Sequence, residues 1–169
     1  MAQSLTLQNK QRFVQLTHQI PHDRILFCPI DVSKHFHRAL FHDMDCPPLS
    51  EFFTFNASRH GFEIFLTHLQ AAIQCQKPQL VLMGMEPTDV YYENLLFNLH
   101  SRLQKVTNPR FELGIVDPRA VAHNRMQHSV PSTKNDDIAC AAIGELLTRG
   151  LYPPARLPEP LTLEIKERS

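Results

Sequence analysis

Arg24-Ile-Leu-Phe-Cys-Pro-Ile-Asp-Val-Ser-Lys34 sets the architecture of this chain. Five of its first seven residues are apolar, and no charge follows Arg24 until Asp31. An apolar run of this length, closed by polar residues, reads as a buried strand. Asp31 arrives where the run ends. A desolvated carboxylate is costly unless a cation or a hydrogen-bond donor meets it. One such acid is an ordinary strand-end turn cap, but Glu86 and Asp136 stand at comparable junctions further on.

Upstream of this strand, residues 1–23 are polar, with Phe13, Val14, Leu16 and Ile20 loosely at helical spacing before Pro21. They read as a short, weakly held leader. Downstream, residues 36–44 read as a second strand, Cys46-Pro47-Pro48 as a turn and residues 51–55 as a third strand. Short connections make an antiparallel meander the economical arrangement. Asn56-Ala-Ser58 can cap a helix in which Phe62, Phe65, Leu66, Leu69 and Ile73 recur at three- and four-residue steps. Lys77-Pro78 closes it.

Residues 80–85 form a fully apolar strand, and Pro87-Thr88-Asp89 opens a helix with Tyr92, Leu95, Leu96, Leu99 and Leu103 on one face. Residues 111–116 read as a fifth strand, 119–126 as a short helix and 130–134 as a loop. A last helix begins near Asn135, carries Ile138, Ala142, Ile143, Leu146 and Leu147, and stops at Gly150. The order β-β-β-α-β-α-β-(α)-α is that of an α/β, ribonuclease H-like mixed five-stranded sheet flanked by helices. The organisation expected is a leader over 1–23, one domain over 24–150, and a Pro-rich tail over 151–169 that begins a further region.

Composition narrows the partners. The chain has 169 residues, enough for one domain with its own core, and 17 basic side chains balance 17 acidic ones. Any nucleic-acid contact must therefore come from a local patch. Ten histidines decide nothing about a partner. Cys28, Cys46, Cys75 and Cys140 are widely spaced, which gives neither a zinc knuckle nor a disulfide framework. There is no signal-peptide core and no apolar run long enough for a bilayer, so a soluble, cytoplasmic protein is expected, with no membrane partner.

Asp31, Glu86 and Asp136 are the candidate metal ligands and catalytic residues. If the first and fourth strands are parallel neighbours, their C-terminal ends lie side by side, where ligands collect in open α/β sheets. A helix packed across that edge brings Asp136 to the same spot. Converging carboxylates repel one another and need a counter-ion. An all-oxygen set suits Mg²⁺ or Mn²⁺ rather than zinc. Two such ions, roughly 3.5–4 Å apart, clamp the attacking and leaving oxygens of a phosphodiester.

Four motifs carry a family resemblance: Ile30-Asp-Val-Ser-Lys34; Met85-Glu-Pro-Thr-Asp-Val-Tyr91; Val116-Asp-Pro118 with Arg125; and Ser132-Thr-Lys-Asn-Asp-Asp-Ile-Ala139. Over residues 24–150 the chain resembles the N-terminal domain of the DEDD transposases. These are the IS-one-ten and IS-eleven-eleven insertion-sequence transposases and the Piv-type DNA invertases. The resemblance implies a RuvC-like domain whose carboxylates bind divalent metal and act in DNA transposition and recombination. It also implies a partner domain with a nucleophilic serine, a guide RNA from the same element, and assembly as a homo-oligomer on DNA. Asp31, Glu86 and Asp136 fall on the first three acids. Lys34, Thr88, Arg125 and Lys134 are candidate nucleic-acid contacts.

The chain departs from the family pattern at several places. Ala139 stands where a fourth acid is expected, Asp89 replaces a Gly, and Asp117 replaces an Asn. Asp137 is the nearest substitute carboxylate, but one helical residue is a rotation of about 100°, which turns it away from the Asp136 side. The expectation is a truncated family member, without the serine domain, whose metal site is damaged. Two alternatives stay open: a catalytically dead nucleic-acid-binding or oligomerisation module, and a stand-alone RuvC-like nuclease. Elsewhere bland readings hold. Lys34 and Lys134 are phosphate contacts or solvated, and Arg125 reaches phosphate or caps a helix. His35 and His37 form a surface pair, and Tyr91 and Tyr92 split between core and rim. Phe52, Phe53, Phe55, Phe62 and Phe65 are core, and Ser33 and Ser132 have no evident general base.

Overall fold

A computed structural model describes residues 2–45, 48–127 and 135–155, with the backbone alone for 2–4, 126–127 and 135–136. The apolar run forms β1, Ile25–Asp31, buried at every residue before Asp31. It lies at the centre of a five-stranded sheet of order β3-β2-β1-β4-β5, with β2 at Phe36–Ala39, β3 at Phe53–Asn56, β4 at Leu80–Met85 and β5 at Arg110–Ile115. The β1-β2-β3 meander is antiparallel, whereas β4 pairs in parallel with both β1 and β5. This is the expected mixed sheet. Continuous burial of β1 and β4 follows from helices covering both faces.

On one face pack α2, Arg59–Gln76, and α3, Tyr91–Leu103, through Phe62, Phe65, Leu69, Leu95, Leu96 and Leu99. The other face is covered by α1, Ala2–Thr17, α4, Pro118–Gln127, and α5, Asn135–Thr148. Local chemistry sets several ends. The Ser58 hydroxyl accepts from the Gly61 N–H to cap α2, and Lys77 closes that helix in the left-handed region at φ 54°. Beyond α5, Gly150 adopts φ 70° against the Phe13 ring, a conformation that favours glycine.

β2 differs from the sequence reading, and the two terminal segments gain definition. β2 stops at Ala39 rather than running to residue 44. The register places Leu40 opposite Pro29, which has no N–H to donate, and pairing with β1 resumes only at the Phe27–His42 bridge. The polar leader is a 16-residue helix whose Phe13 is buried edge-on against Tyr152. Residues 151–155 run along β5, with the Ala155 N–H donating to Leu113 O at 2.9 Å and a bridge between Gly114 and Pro154. No described helix is long and apolar enough to cross a membrane.

Gly84 lets α5 approach the sheet: a Cβ there would sit 2.4 Å from Cδ2 of Leu147. Gly84→Ala is expected to cost about 1–3 kcal/mol as an overpacked contact, and Leu147→Ala about 2–5 kcal/mol as a cavity. Urea denaturation of the double variant should show less than the sum of the two losses. Strict additivity would contradict the contact.

Candidate metal centre

The β1 pleat sends Leu26, Cys28 and Ile30 into the α2/α3 core and Ile25 and Phe27 into the α1/α4/α5 core. Alternation carries Asp31 to the α5 side. On β4, Val81, Met83 and Met85 face α2 and α3, while Leu80 and Leu82 face the other way and Gly84 lies under Leu147. Glu86 follows in the phase of Gly84. Because Ile30 pairs with Met85, the next residue on each strand, Asp31 and Glu86, stands at neighbouring strand ends. Both acids are half-buried.

The electrostatics agree with this placement. Burial raises the Glu86 pKa from its ordinary value, and the Arg125 guanidinium partly opposes that rise. On α5 the Cys140 thiol donates to Pro29 O at 3.2 Å, which seats the helix on β1. That thiol is pushed well above its ordinary pKa, first by burial, then by Cys28, and then by the Asp31 and Asp137 carboxylates. Asp31 is therefore within electrostatic reach of α5.

Asp136 lies in the first turn of α5, four residues before Cys140, and its carboxylate is outside the described side chains. Among the described residues no group of three His, Cys, Asp or Glu side chains is arranged to hold a metal ion. The register thus sets Asp31 and Glu86 at neighbouring strand ends, and α5 bears Asp136. Lys34 is exposed in the loop after β1, and Lys134 lies outside the described residues. The Thr88 hydroxyl donates to Glu86 O at 3.4 Å, a contact with the strand-end backbone.

Other residues carry information that the sequence did not yield. Ala139 is buried, so no carboxylate occupies the fourth position. Asp137 lies toward β2, where the Arg38 guanidinium holds its carboxylate. Arg38 is the register partner of Asp31, and its second arm donates to the Thr54 hydroxyl at 2.7 Å. Pairing across 99 residues of chain left no local signal. His37 corrects the surface-pair reading. It is buried against Phe55, accepts the Ser33 N–H at 3.2 Å, and burial lowers its pKa to about 4. Asp89, where the family has Gly, adopts φ 52°, which explains a glycine preference there and the tolerance for Asp.

A family model described as a DEDD transposase of the IS110 type matches residues 28–169. No curated protein matches the chain significantly. Among solved structures, Thermus thermophilus RuvC in complex with a Holliday junction substrate superposes with a TM-score of 0.50 at 9% identity, over 78% of this chain and 99% of that one. The yeast mitochondrial Holliday junction resolvase Ydc2 gives 0.46 at 16% identity, over 84% and 86%. The RuvC likeness is one of fold.

Because the Glu86 pKa is higher in the folded protein than in the unfolded chain, the native state holds more protons between the two values. Stability contributed by this group therefore falls as pH rises through that window. In EDTA, Glu86→Gln should melt higher than the parent at about pH 7, with the gap closing by about pH 4. Equal melting temperatures at both pH values would show that burial does not strain this acid.

Proposed function

The chain belongs to the DEDD transposase family, and on that basis we propose that it is a transposase or recombinase domain performing metal-assisted phosphoryl transfer on DNA. Asp31, Glu86 and Asp136 are the proposed ligands. The observation that carries this reading is the parallel β1–β4 register, which sets Asp31 and Glu86 side by side, in one pleat phase, facing the side of the sheet where α5 packs.

The donor chemistry fits. Carboxylate oxygens suit Mg²⁺ or Mn²⁺. An acid discouraged by burial from ionising, as Glu86 is, gains from a nearby cation. A bound divalent ion supplies charge stabilisation at the phosphodiester. The chain's own part is to hold the acids. β1 and β4 fix two strand ends, Cys140 seats α5 on β1, and Arg125 limits the rise in the Glu86 pKa. Lys34, Thr88, Arg125 and Lys134 are the proposed nucleic-acid contacts around this edge. A guide RNA from the same element and a homo-oligomeric assembly belong to the same reading.

A second reading, a module that binds DNA without cutting it, is favoured by one observation. The fourth acid position is a buried Ala139, and the nearest spare carboxylate, Asp137, is neutralised by Arg38. Mn²⁺ at about 100 times its Kd should stabilise the chain by about 2.7 kcal/mol, roughly 5–10 °C in melting temperature. Asp31→Asn should abolish the shift. Metal-dependent strand cleavage accompanying the shift supports the catalytic reading, and a shift without cleavage selects the second. No shift in the parent chain would refute the metal site itself.

A further inference from the structure

A cleft opens on the opposite face of the same sheet edge. β3 runs parallel to β1, so α2 and α3 both begin at the edge where Asp31 and Glu86 stand. Between them lies a cavity of about 560 Å³, within the range of organic-ligand sites. Its lining carries three cations, Lys34, Arg59 and Arg102, against one anion, Glu63, in a chain with zero net charge. Arg102 is paired with Glu63 at 3.0 Å, but Lys34 and Arg59 have no ion-pair partner among the described residues. The wall formed by α3 presents Asn94, Asn98 and Ser101 at steps of four and three residues, a polar stripe along one helical face. Aromatic surface is interleaved with it: Phe97 is 39% exposed and Tyr91 half-buried, above a floor of Phe55 and Phe62.

Uncompensated cations call for an anion. Carboxamides both donate and accept, as base edges require, and the exposed Phe97 ring beside half-buried Tyr91 offers a stacking surface. One ligand class combines regularly spaced anions with flat faces and polar edges. We propose that this cleft binds a short single strand of nucleic acid. Lys34 and Arg59 meet the phosphates, Phe97 and Tyr91 stack on bases, and Asn94 and Asn98 contact base edges. The acids face α5 across the sheet, so this is a separate subsite, and a strand lying in it reaches the metal edge by passing the loop that carries Lys34. The inference extends the nucleic-acid reading above but does not require a metal ion.

The test is fluorescence polarisation in EDTA, with short labelled oligothymidylate and oligouridylate and a duplex of equal length. The parent chain should bind single strands more tightly than the duplex. Arg59→Ala should weaken this about fivefold at about 0.1 M salt and reduce the salt slope by about 0.7, as the loss of one phosphate contact requires. Phe97→Ala should weaken it about tenfold, and tighter binding of one oligomer over the other identifies the strand as DNA or RNA. Binding that persists in EDTA, where no divalent ion is held, separates this subsite from the metal centre. Unchanged affinity in both cleft variants, with melting temperatures intact, or preference for the duplex, would overturn the proposal.

Discussion

The in-register parallel pairing of β1 with β4 is the constraint on which the rest depends. Six consecutive residue pairs, from Ile25–Leu80 to Ile30–Met85, are locked in one ladder, buried from both sides. A slip of one residue would exchange the faces of every side chain on β1 and place apolar groups where the other core expects gaps. The same register puts two carboxylates at adjacent strand ends. Core packing and site geometry are therefore one fact, and the acids inherit their placement from the hydrophobic ladder beneath them.

Around that ladder the helices are fitted by close approach rather than bulk alone. Gly84 makes room for Leu147, and a Cβ at Gly144 would lie 2.4 Å from Nε2 of His42, which itself stacks on Phe27. The Cys140 thiol donates to the carbonyl of Pro29, the proline that interrupts the β1–β2 ladder. At the margin, Arg38 ties Asp137 to β2 and to Thr54. A half-buried charge pair of this kind adds little net stability, but it costs several kcal/mol if one partner is removed. Its effect is to fix the first turn of α5 beside the strand end that bears Asp31. The departure from the family pattern at Ala139 and the nearby spare carboxylate of Asp137 thus each have a structural counterpart: one is filled apolar space, the other an ion pair.

Much of the fold was legible because its signals are local. The apolar runs of β1 and β4, the helical periodicity after Ser58, and the glycine after α5 each specify an element within a few residues. What escaped depends on distant partners. Phe13 carries little signal until Tyr152, far along the chain, supplies its cover. β2 ends where it does because of a proline on another strand. His37 looks like half of a surface pair until β3 and its Phe55 are in place. At the site, the residue types and their junctions were readable, while the adjacency of β1 and β4 entered as a condition that the sheet order meets. The Arg38–Asp137 pair and the Arg125 influence on Glu86 required tertiary structure.

The most direct measurement of the central claim is diffraction from crystals of this chain soaked in Mn²⁺, with data collected for the manganese anomalous signal. The account predicts a peak at about 2.1 Å from carboxylate oxygens of Asp31, Glu86 and Asp136 together, the distance expected for a small hard cation. A map in which those three side chains diverge, or in which manganese binds elsewhere while this strand edge stays empty, would contradict it.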